Sequence, residues 1–139
     1  MADELRMRRV LAHIESNLPL WDQNNWVVET SCGTAYCYAG WTVVLEGIPV
    51  HTNVDGLPYV DRRTLPQPWR DRLEALNLDY LANGLNGYED HVAVSDMAAL
   101  ILGLYDDGRE RDKWHLFGAC LGLDGLRQAI DWLCTGRRG

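Results

Sequence analysis

Ser31-Cys32-Gly33-Thr34-Ala35-Tyr36-Cys37-Tyr38-Ala39-Gly40-Trp41-Thr42-Val43-Val44-Leu45-Glu46-Gly47 is the stretch on which the fold turns. It opens on residues that cap or begin helices and closes on a glycine suited to ending one. From Ala35 to Leu45 only Gly40 and Thr42 interrupt a run of apolar or aromatic side chains. A helix apolar on nearly every face has to be buried on nearly every face, so the stretch predicts the central helix of the domain.

The flanking sequence supplies helices to cover it. Met7, Val10, Leu11, Ile14 and Leu18 form one stripe at helical spacing, predicting a helix from about Asp3 to Ser16 that stops before Pro19. His13 belongs at its boundary or solvent side. Trp21 and Trp26 bracket a polar segment and are expected to pin it onto the central helix; Val27 and Val28 add a short extended piece. Residues 48–68 contain four of the five prolines, which excludes a helix there. Within them, Val50, Thr52 and Val54 alternate ahead of Asp55-Gly56, a hairpin signal, and Pro58 suggests that the return strand is an edge. Pro68 suits the first position of a short helix carrying Trp69, Leu73 and Leu76 on one face. Residues 77–91 read as a loop with room for one helical turn. Ser95 is a candidate N-cap for a helix from Asp96 to Leu104, and Trp114 to Cys120 a brief inward-packing helix. Asp124 is a candidate cap for a last helix that presents Leu126, Ala129, Ile130 and Leu133 and ends at Gly136.

The expected architecture is all-α. It is one domain over residues 1–136, of four to five helices around a buried central helix, with a β-hairpin insert at about 48–61 and a loose tail at 137–139. With 139 residues, 47% apolar and 24% charged, the chain has the size and composition of one globular domain.

Charge and composition narrow the function. A net charge of −7 argues against a general nucleic-acid binder. The short basic clusters at Arg6–Arg9, Arg62–Arg63 and Arg137–Arg138 read as solvated surface. A mimic of DNA would need its carboxylates on one face, against which mixed-sign runs such as Arg109-Glu110-Arg111-Asp112 argue. The amino terminus has no signal-peptide pattern and no apolar run has the length of a membrane span, so the expectation is a cytoplasmic protein with reduced thiols and no membrane partner. Six Trp and six Tyr against one Phe favour ring systems with a polar edge, which suit half-buried boundaries and interfaces.

The cysteines raise the question of chemistry. Cys32 and Cys37 are spaced more widely than a usual zinc pair, and neither Cys120 nor Cys134 has a neighbouring Cys or His to form a second one, so no metal or other cofactor is expected. Their spacing also does not favour a disulfide. A helix beginning at Cys32 would lower that thiol's pKa, making Cys32 a candidate nucleophile with His91 as base. The local string faintly resembles the Cys-Gly-Ser-Cys-Trp helix start of papain-like cysteine proteases over about ten residues, with different spacing. The structural alternative is that the cysteines, with Ala35, Ala39 and Gly40, are small residues that let helices approach closely; it is the favoured one.

The string Cys32-Gly33-Thr34-x-x-Cys37-x-Ala39-Gly40 also resembles the motif of an uncharacterised family of small phage and bacterial proteins. Leu102-Gly103-Leu104, Leu116-Phe117 and Gln128-Ala129-Ile130 match that family's further pattern, while Trp41 stands where many members have His. The resemblance implies a bacteriophage setting and brings no assigned activity with it. The resulting expectation is a non-enzymatic accessory protein that binds a protein partner, a host factor foremost, through aromatics such as Trp21, Trp26, Tyr59 and Trp69. The alternative is a thiol-dependent hydrolase or transferase.

Overall fold

The computed structural model describes residues 3–18, 21, 27–30, 33–52, 58–76, 90–105, 117 and 122–135. The first helix, α1 (Glu4–Ser16), follows its apolar stripe: Met7, Val10, Leu11 and Ile14 are all buried. The Asp3 carboxylate accepts from the Arg6 backbone N–H at 3.0 Å and caps the helix start. At the other end Asn17 donates from its backbone to Ile14 and from its side chain to the His13 carbonyl.

The central stretch departs from its reading. Only its second half is helix. Gly33–Tyr36 is a strand, β2, paired antiparallel with β1 (Val27–Thr30), with Val27 opposite Tyr36 and Thr30 opposite Gly33. The residue types explain the outcome, because Val27, Val28, Thr30, Thr34 and Tyr36 all prefer extended backbone, and two such runs facing each other outweigh one apolar run read alone. Helix α2 begins after the extended Cys37 and runs from Tyr38 to Val44. The burial argument holds for that half: Tyr38 through Val43 are all buried. Gly47, at φ 78°, then turns the chain away as expected.

The next strands are β3 (His51–Thr52) and β4 (Pro58–Asp61); residues 53–57, including the anticipated Asp55-Gly56 turn, lie outside the described residues. The hairpin is not a separate insert. A third strand, β5 (His91–Ala93), pairs with β4 in a sheet of order β3-β4-β5, so β4 is central rather than an edge. Pro58 is compatible with this because it opens the strand opposite Thr52, while the register with β5 begins only at Tyr59. A short 3-10 turn (Arg62–Thr64) leads into α3 (Gln67–Leu76), which starts one residue before Pro68 and buries Leu73.

β5 runs directly into α4 (Val94–Ile101). Ser95 therefore does not cap it. The cap position falls to Ala93, which has no side-chain acceptor, and Ser95 is buried in the first turn. α4 is buried at every position except Asp96, packs most extensively against α2, and with it forms the centre of the core. It stops because Gly103 adopts φ 78°, with Gly103 N–H bonded to Leu100 O at 3.1 Å and Leu104 N–H to Ala99 O at 3.0 Å, a Schellman ending. Leu104, expected inside the helix, is buried just beyond it. Of residues 114–120 only Phe117 is described, and it is buried. The last helix, α5 (Leu123–Thr135), buries Leu126, Ala129, Ile130 and Leu133 as the spacing predicts; Asp124 lies in its first turn rather than at the cap. The described chain is thus mostly helical, with five α-helices and a three-stranded antiparallel sheet, and all-α fits it only roughly. Among the described residues no helix is long and apolar enough to cross a membrane.

Arg6 ties several of these pieces together. Its guanidinium donates to the Ile101 carbonyl at 3.2 Å, where α4 leaves acceptors unsatisfied, approaches Glu46 at 3.5 Å, and lies 5.5 Å from the centre of the Trp69 ring. The Asp3 N–H adds a bond to Leu102 O at 2.8 Å. An Arg6→Ala protein is expected to lose about 1.5–3 kcal/mol of stability, the worth of a charged donor to a partly buried acceptor, read as a lower urea midpoint with unchanged slope.

Candidate functional site

The three-stranded sheet has two unlike faces. Val60 and Val92, at 0% and 2% exposure, face the core next to α4. Alternation along the strands then sends His51, Tyr59, Asp61 and His91 to the other side. There the rings assemble: Tyr59 stacks on His91 with centroids 3.6 Å apart and planes 12° from parallel, and His51, its cross-strand partner, lies 5.4 Å away. Such ring pairs contribute about 0.5–1.5 kcal/mol beyond area burial. His51 is exposed, and Tyr59 and His91 are half-buried, so the stack forms a surface with one wet side.

A charged border adjoins the rings. Asp61 accepts from the Arg63 guanidinium at 2.9 and 3.1 Å and from its backbone N–H at 2.9 Å, and Asp90 lies 3.5 Å from the same guanidinium. The Arg63 side-chain hydrogen bond, first, holds the Asp61 carboxyl below the usual carboxylate range, with the His51 imidazole a smaller influence in the same direction. Since the folded-state value is depressed, the stabilisation from this contact is complete above the unfolded value of about 4 and disappears as pH falls through the folded value. The midpoint difference between wild type and Asp61→Asn in urea should therefore be present at pH 7 and shrink as pH falls below the unfolded value of about 4; a difference that does not shrink in acid would assign the effect to packing.

The other sequence candidates distribute differently. Trp69 packs against the core, with the guanidinium groups of Arg6 and Arg72 5.5 and 4.9 Å from its ring centroid. Trp21 is half-buried against the core. Trp26 and Cys32 lie outside the described residues. His91, read as a possible base, is the stacking partner of Tyr59. Cys37, Ala39 and Gly40 of the motif are buried in and beside α2, while Gly33 and Thr34 belong to β2. The helix start that was to activate Cys32 is at Tyr38 instead, on the far side of a strand. His13 sits at the boundary, as expected, with its ring 4.4 Å from that of Trp41.

The sequence reading named His51, Tyr59 and His91 separately and missed their assembly. The missing signal was β5. Three residues after an Asn- and Gly-rich segment are too few to show a period, and without β5 the link from His91 to Tyr59 is invisible. Among the described residues no group of three or more His, Cys, Asp or Glu side chains is placed to hold a metal ion. Comparison with protein-family models, curated proteins and solved structures gives no match.

Proposed function

We propose that this chain is a non-enzymatic accessory protein, of bacteriophage origin by its motif resemblance, that acts by binding a protein partner such as a host factor. The observation that carries the reading is the His51–Tyr59–His91 stack. Aromatic rings with polar edges are held at the surface by a sheet whose other side is buried, giving a rigid contact area that needs little ordering on binding. Tyr59 is the described candidate that best fits a central contact, since Trp21 and Trp69 both pack on the core. The thiol-dependent alternative has lost the helix N-terminus on which it depended.

The test is affinity capture from lysate of the host with the wild-type chain and with Tyr59→Ala. The reading requires a protein recovered repeatedly by the first and lost with the second. Repeated recovery of nothing, or equal recovery by both, would count against it.

A further inference from the structure

We draw no further inference here: the strongest candidate, the His51–Tyr59–His91 ring stack on the outer face of the three-stranded sheet, belongs to the site already described, and nothing in the structure shows what covers it.

Discussion

Tyr38→Ala is expected to lower the unfolding free energy by about 3–5 kcal/mol, the cost of removing a large buried aromatic from a closed core. Tyr38 is 0% exposed at the start of α2, its ring centroid is 6.4 Å from that of Phe117, and its hydroxyl donates to the Met7 carbonyl at 2.6 Å. It therefore joins α1 to α2 by both packing and a buried hydrogen bond. Burial also pushes the phenol well above its ordinary pKa, so the hydroxyl remains a neutral donor. The two contributions separate by substitution. Tyr38→Phe keeps the ring and should cost only about 1–2 kcal/mol, leaving the Met7 carbonyl one donor short. A domain of this size has about 5–15 kcal/mol in all, so the alanine variant should show a much lower urea midpoint or a partly unfolded population. A Tyr38→Phe loss as large as that of Tyr38→Ala would mean that the hydrogen bond, not the ring, holds the two helices.

Val60→Asp should have an effect of similar size by another route. Val60 is fully buried on the central strand of the sheet, on the side that meets α4. A carboxylate there would lose its water without gaining a partner, at a cost of order 3–5 kcal/mol. Because Val60 and Tyr59 are neighbours on opposite faces, the substitution should also disperse the ring stack, whereas Val60→Ile should leave it in place. Near-ultraviolet circular dichroism of the aromatics together with urea unfolding reads both consequences; an intact Val60→Asp protein would show that the sheet is not anchored by this face.

Electrostatic links between the terminal helices matter less. Arg8 reaches Asp131 at 2.8 Å and Arg127 pairs with Glu15, which ties α1 to α5 twice, and the hydrogen bonds that the Arg8 guanidinium donates to Asp131 and then to Glu4 raise its pKa. These groups are exposed, and exposed pairs contribute about 0–1 kcal/mol each. Met7, Val10 and Ile14 of α1 and Ile130 and Leu133 of α5 all belong to the common core, whose burial outweighs these exposed pairs.

The parts of the fold legible in the sequence are those with a long single period. The stripes of α1 and α5 run over about two turns each, and no competing pattern overlaps them. The Gly47 stop was readable as well, because a left-handed residue after an apolar run has few alternatives to glycine. Two short elements were not legible. Gly33–Tyr36 looked like the first turn of the helix that follows, because four residues of mixed apolar character carry no period of their own and the pairing with Val27–Thr30 is tertiary information. His91–Ala93 was hidden in the same way. Those two omissions bear on function: the first set the expected helix start at Cys32 rather than Tyr38, and the second hid the strand that sets His91 beside Tyr59. Long-range pairing of short strands, not residue chemistry, was the missing knowledge.

The measurement that tests the central claim most directly compares two full-length variants, Tyr59→Ala and Cys32→Ser, in affinity for the captured partner by titration calorimetry. The account predicts that Tyr59→Ala weakens binding at least about tenfold, as a central aromatic contact does, and that Cys32→Ser binds as the wild type does. Loss of binding or of any turnover with Cys32→Ser, and none with Tyr59→Ala, would contradict it.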